Sequence, residues 1–200
     1  MTYADQHTDE SFDDLALESG DTHKGRQFLR CSFRGADLRE LKTLECEFIE
    51  CDFTAALLKA SCHRATSFLN CNFAHANLFA TLFDKCRMVG SDFGGSTLSE
   101  ALIRGGDWSF CILRQQQLLK RDLRTVKFKG SDLSGASFAE SDLRDATFEA
   151  AVLHGTDFSK ADLRGTDLND VNMRNGEFRG ARMSIQQAIQ FAGSFGIRIE

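Results

Sequence analysis

Residues 131–168 read SDLSG ASFAE SDLRD ATFEA AVLHG TDFSK ADLRG TDL, with a large apolar residue at the third place of every group of five. The register extends outward in both directions. From Phe28 to Met183 it returns Phe or Leu at 25 of 32 positions, Met88, Met173, Met183, Ile103 and Trp108 complete the apolar set, and only Thr43 and His63 break it. Two residues before each centre, from Cys31 to Ala181, stands a small residue, except at Leu41, Gln116 and Arg121. A period of five fits neither an α-helix nor a flat strand. It describes a chain that turns a corner every five residues, and self-similarity at a fixed short period is the signature of a solenoid.

On extended chain, alternate positions share a face, so the large centre and the small residue two before it point to one side. The other three residues of the unit face water. Four units closing a square make a coil of twenty residues, and coils stacking at the strand spacing of about 4.8 Å give eight coils and a rod roughly 38 Å tall. The predicted core columns contain Phe48, Phe53, Phe68, Phe73, Phe83, Phe93, Phe128, Phe138, Phe148 and Phe158. Each buried Phe or Leu contributes about 1.5–3 kcal/mol, so these positions dominate folding. Asp or Asn precedes the centre in Ala36-Asp37-Leu38, Ala76-Asn77-Leu78 and Ala161-Asp162-Leu163, where such side chains bond local backbone at turns. Gly recurs at the last place of the unit, as at 35, 90, 130 and 165, where a corner needs unusual dihedrals, and Pro is absent.

These residues resemble the pentapeptide-repeat family, whose A(D/N)Lxx units fold as a right-handed quadrilateral β-helix. The likeness covers residues 26–183 and implies an all-β solenoid of about eight coils. Residues 1–25 hold seven acids and one lysine and read as a flexible acidic arm, with Phe12, Leu15 and Leu17 as anchors over the first coil. The repeat body has 21 acids against 22 bases. Six cysteines, Cys31, Cys46, Cys51, Cys71, Cys86 and Cys111, take the small inward position, which favours packing over metal or redox chemistry. Cys62 points outward.

After Met183 the period changes. Ser184-Ile185-Gln186-Gln187 has the form of a capping box, apolar residues follow at helical spacing, Gly196 is placed to end the helix, and Ile197 and Ile199 alternate as in a short strand. Residues 184–200 therefore read as a cap that shields the last coil. Gly180-Ala181-Arg182 followed by IQQAIQFAGSFGI also looks like the terminal dimerisation module of the pentapeptide-repeat proteins that protect DNA gyrase and topoisomerase IV from quinolones. Residues 63–93 are similar to the mycobacterial type, which lacks projecting loops. The resemblance implies a homodimer joined through Ile185, Ile189, Phe191, Phe195, Ile197 and Ile199. It further implies a rod that imitates B-DNA on the enzyme's DNA-binding saddle.

B-DNA carries about one charge per 1.7 Å, which a near-neutral body cannot match globally. The mimicry expected here is local, at Asp122, Asp142 and Asp162 in one column with Glu140 and Asp145 beside them. Arg104, Arg124, Arg144 and Arg164 stack two residues further on, so a self-neutralising solvated ladder is the competing reading. The band from Arg104 to Lys129 has seven bases against Asp107 and Asp122, but no aromatic platform interleaves it, which disfavours direct nucleic-acid binding. Outward apolar residues Leu44, Ile49, Leu69, Phe79, Val89, Phe110 and Leu119 would mark an interface only if clustered. His63 holds an inward position in the column of Thr43 and reads as a buried, bonded imidazole. No phosphate loop, helical His pair or dinucleotide fingerprint appears, and a filled solenoid offers no substrate cavity. A cytoplasmic, non-enzymatic protein without metal or cofactor is expected, binding a topoisomerase or, as the alternative, acting as an interaction scaffold for another partner.

Overall fold

The computed structural model describes residues 5–13 and 22–198, and it is a parallel-stranded solenoid built at the expected offset of twenty. The strands are β1 (Asp5–Thr8), β2 (Thr22–Lys24), β3 (Arg26–Leu29), β4 (Lys42–Leu44), β5 (Glu47–Ile49), β6 (Cys62–Arg64), β7 (Ser67–Leu69), β8 (Leu82–Asp84) and β9 (Leu102–Arg104). They form two parallel sheets, β1-β3-β5-β7 and β2-β4-β6-β8-β9. Elsewhere the sides pair through single parallel bridges, as in the series Ser67, Arg87, Asp107, Lys127, Thr147, Asp167. A side of five residues has only about three in extended conformation before the next corner, which is why full strands stay short.

Stacking aromatics hold successive coils in step. Phe28, Phe48 and Phe68 stack at 4.8 and 4.9 Å between ring centroids, and Phe33, Phe53, Phe73 and Phe93 at 4.9, 4.9 and 5.0 Å. Rings of adjacent columns meet edge to face, as Phe48 and Phe53 do at 5.4 Å, a geometry that suits the ring quadrupole. All ten Phe expected as core are buried.

The small inward residue does more than leave space. Its hydroxyl or thiol donates to the carbonyl of the centre in the coil before: Ser91 to Phe68 O at 3.0 Å, Ser131 to Trp108 O at 2.7 Å, Ser141 to Leu118 O at 2.8 Å, Cys71 to Phe48 O at 3.4 Å and Cys111 to Met88 O at 3.0 Å. This satisfies a polar group that burial would otherwise strand. Burial also pushes the Cys86 and Cys111 thiols up to about 12.

The last residue of most units sits in the left-handed region whether or not it is Gly, for example Glu50 (φ 55°), Ala60 (φ 59°), Lys120 (φ 57°) and Asp145 (φ 59°). Asp or Asn before the centre accepts the N–H two residues on, as Asn72 does from Ala74 at 2.9 Å and Asp92 from Gly94 at 2.8 Å. Each corner thus combines an Asx turn with a positive φ.

The leading segment departs from the flexible arm expected. β1 pairs with β3, the His7 ring stacks on Phe28 at 5.0 Å, Phe12 stacks on Phe33 at 4.9 Å, and Asp9 takes a two-pronged bond from Arg30 at 2.7 Å. It is docked because an open coil end presents both unpaired backbone and bare Phe faces. Leu15 and Leu17 lie outside the described residues.

At the other end α1 (Ile185–Ser194) closes the rod. Ser184 and Gln187 form the capping box, and Gly196 has φ 79°. The Gln187 amide donates to Leu163 O at 2.6 Å and Thr166 O at 2.9 Å, and Gln190 donates to Leu168 O at 3.0 Å. These carbonyls have no further coil to accept from, so the helix supplies donors as well as apolar cover. Ile197 and Arg198 are not strand: the Ile197 N–H turns back to Ala192 O at 3.1 Å. Ile199 lies outside the described residues.

His63 is fully buried, with Nδ1 2.8 Å from Thr43 Oγ1 and Nε2 2.9 Å from Ser61 Oγ. Burial lowers its pKa from 6.5 to about 3. The unfolded chain therefore takes up a proton that the folded one refuses, and stability falls as pH drops below about 6.5. Replacing His63 by Phe, the residue of that column at Phe83, should remove about one proton from the pH dependence of unfolding between pH 6.5 and 4; an unchanged slope in denaturant titrations would refute this.

Candidate partner-binding surface

The acidic column predicted from the register exists, and it is already paired. Asp122, Asp142 and Asp162 follow one another at bridge positions, and each grips the arginine two residues on with both oxygens. The Oδ1 and Oδ2 distances are 2.8 and 2.7 Å to Arg124, 2.9 and 2.7 Å to Arg144, and 2.9 and 2.7 Å to Arg164. The arginines also reach the next level: Arg124 lies 3.7 Å from Asp142, Arg144 4.0 Å from Asp162, and Arg182 3.4 Å from Asp162. Glu140 sits between Lys120 at 3.9 Å and Lys160 at 3.8 Å.

Those guanidinium bonds hold all three aspartates below the ordinary carboxylate range, Asp162 to about 2. The Asp162 side chain is 15% exposed against 61% for Asp122, and Arg144 and Arg182 approach it in addition to Arg164. Of the five acids predicted as contacts, only Asp145 makes no ion pair; its carboxylate lies over Gly165. Four further acids near the same end, Asp157, Asp167, Asp170 and Glu177, also make none, Asp157 being bonded by Ser137 and Ser159 instead, a feature that column assignment alone could not reveal because it depends on where arginine side chains land.

The basic band is neutralised in the same manner. Arg114 binds Asp132 at 2.6 Å, Lys129 binds Glu149 at 2.9 Å, Lys120 faces Glu140, Arg121 faces Glu100 at 3.4 Å, and Arg124 holds Asp122. Arg104 and Lys127 are its members without an ion pair. Among the outward apolar residues, Phe79, Phe110 and Leu119 are exposed, with Lys59 over the Phe79 ring, while Leu44, Ile49, Leu69 and Val89 are half-buried.

The C-terminal residues divide into two sets. Phe191, expected at the dimer interface, is half-buried with its ring 5.3 Å from Phe178. Ile185, Ile189, Phe195 and Ile197 are 76, 48, 49 and 59% exposed, a concentration of apolar surface at one end of a rod whose sides are ion-paired. The Arg174 guanidinium covers one face of Phe195 at 5.8 Å. Among the described residues no group of His, Cys, Asp and Glu is arranged to hold a metal ion, and no helix is long and apolar enough to cross a membrane.

A family model described as a pentapeptide repeat region matches residues 106–178. Two trypsin-treated variants of QnrB1, a plasmid-mediated fluoroquinolone resistance protein, superpose with TM-scores of 0.78 and 0.79 at 23% identity, over 98% of this chain and 97% of theirs. HetL, a pentapeptide repeat protein involved in heterocyst differentiation regulation from the cyanobacterium Nostoc, superposes with a TM-score of 0.58 at 19% identity, over 90% of this chain and 84% of its own. No curated protein matches at a significant level. At these identities the likeness is one of fold.

Because three arginines surround Asp162 and one serves the exposed Asp122, Asp162→Asn should cost about 1–2 kcal/mol and Asp122→Asn less than about 1 kcal/mol. The Asp162 contribution is present above its unfolded pKa near 3.8 and is lost as pH falls towards about 2. Equal destabilisation of the two variants in urea melts would contradict this ranking.

Proposed function

We propose that this chain, whose residues 106–178 match a pentapeptide repeat region, is a non-enzymatic, cytoplasmic pentapeptide-repeat protein that binds bacterial DNA gyrase or topoisomerase IV as a homodimer and protects it from quinolones or a natural-product poison. The observation that carries the reading is likeness in fold, over nearly the whole of both chains, to a protein described as conferring fluoroquinolone resistance. The exposed apolar set Ile185, Ile189, Phe195 and Ile197 supports the dimer: it is compact and terminal, and a two-fold axis through it would extend the rod end to end.

In this reading the enzyme contact falls on the half nearest that axis, which holds Asp122, Glu140, Asp142, Asp145 and Asp162. The unpaired Asp145, Asp167, Asp170 and Glu177 are better suited to imitate phosphates than the ladder, whose charge is spent within the rod. That neutral ladder also favours the second reading, a scaffold for another protein, since B-DNA presents about one uncompensated charge per 1.7 Å.

Titrating the protein into a gyrase cleavage assay containing a fluoroquinolone should reduce drug-stabilised breaks at concentrations that leave supercoiling largely intact. Absence of any effect on cleavage or supercoiling would select the scaffold. Separately, the double substitution Ile189→Asp and Phe195→Asp should yield monomers by light scattering, whereas a persistent dimer would place the interface elsewhere.

A further inference from the structure

The backbone ladder opens along half of the rod's perimeter between residues 96–105 and 116–125, and it is already thinned one coil earlier, where the Leu78 and Ala80 N–H groups lack the acceptors that Leu58 and Ala60 find. On the side containing β9, a residue before the centre normally donates to the carbonyl of the coil before, as Leu102 does to Thr81 at 2.8 Å and Asp142 to Arg121 at 2.9 Å. A centre donates to the coil after, as Leu123 does to Asp142 at 2.9 Å. Between the coils of β9 and Asp122 these bonds are missing: the N–H groups of Ile103, Gly105 and Asp122 have no hydrogen-bond partner, and no bridge joins Leu102 to Asp122. On the adjoining side Leu98, Glu100 and Gln117 have none either. The ladder closes again at Asp92 with Ile112 and at Asp107 with Lys127.

The cause is legible in the two long residues that occupy small inward positions. Gln116 makes the bond a serine would make, to Phe93 O at 3.0 Å, and reaches Ser96 O at 3.4 Å, with a side chain two atoms longer than the serine of that column. Arg121 bridges to Ser99 O and Glu100, and its Nε is buried without a partner. Gly106, with φ +97°, lies so close to the coil before that a Cβ would come 2.4 Å from Cys86 O. The result is a cleft of about 800 Å³ with Leu102, Arg104 and Gly105 on one lip and Asp122, Arg124 and Thr125 on the other.

We propose that this cleft is an acceptor for an extended, acidic segment of a protein partner, whose backbone pairs with the free edge of β9 and restores the missing ladder. Unpaired backbone donors and carbonyls in strand register are matched by one common ligand chemistry, another extended polypeptide. The exposed Leu102 offers an apolar contact for alternate side chains of that segment. Charge selects an acidic one: Asp122 is neutralised by Arg124, and Lys85 and Arg104 at the cleft carry no ion pair, against the single unpaired Asp145. The proposal does not rest on the topoisomerase reading, and its test contains no topoisomerase.

The probe is a short fluorescein-labelled peptide alternating Glu and Val, with a Lys and Val counterpart. The wild-type protein should bind the acidic peptide about tenfold or more tightly than the basic one. The double substitution Gln116→Ser and Arg121→Ser, which installs the small residues found elsewhere in those columns, should close the ladder, raise Tm and lose most of the binding. No binding to wild type, equal binding to the closed variant, or preference for the basic peptide would each overturn the proposal. Should the variant fold poorly, amide exchange on the wild type decides: the Ile103 and Gly105 amides should exchange rapidly alone and slow markedly with saturating acidic peptide, and unchanged exchange would refute strand pairing.

Discussion

The structure depends on one constraint, that each coil lie about 4.8 Å from the next on every side so that backbone groups pair. Aromatic rings stacked at 4.8 to 5.0 Å meet it from inside. Small residues meet it at the walls, because a serine or cysteine both leaves room and returns a hydrogen bond to the carbonyl of the preceding centre. The positive φ at the corners is the conformational cost, tolerated even by Glu50 and Lys120 because the ladder on both sides over-determines it.

The same spacing governs the surface. Outward residues repeat in columns at the coil rise, so charges of opposite sign in neighbouring columns meet automatically, as Asp142 does with Arg124 and Arg144. A rod of this kind neutralises its flanks, and its adhesive surface gathers where the repeat ends or fails. The helix beyond Met183 leaves Ile185, Ile189, Phe195 and Ile197 outside, while the cleft beside β9 leaves backbone unpaired. Both features arise where a coil's edge is not paired with the next.

Particular residues show how far sequence reasoning reached. The Phe columns, the buried His63, the inward cysteines and the capping box at Ser184 were legible, because each follows from position within a fixed register or from a local motif. The anchor at Phe12 was legible and stacks on Phe33, but the pairing of Asp5–Thr8 was not, since it rests on the backbone of β3 and on stacking of His7 on Phe28. The packing of Phe191 on Phe178 was not legible either, because the orientation of a terminal helix is set by what it must cover. The breaks at Gln116 and Arg121 were visible as exceptions to the small-residue rule, but their consequence for the ladder was not.

By itself, therefore, the sequence determined the architecture: a period of five with large and small residues in alternation admits one way of burying its apolar side, and every coil repeats that solution. Tertiary structure decided the rest. Which carboxylates remain unpaired, which aromatic faces inward and where the ladder opens depend on how long side chains from different coils meet. A linear register specifies which column a side chain belongs to, and not what it touches.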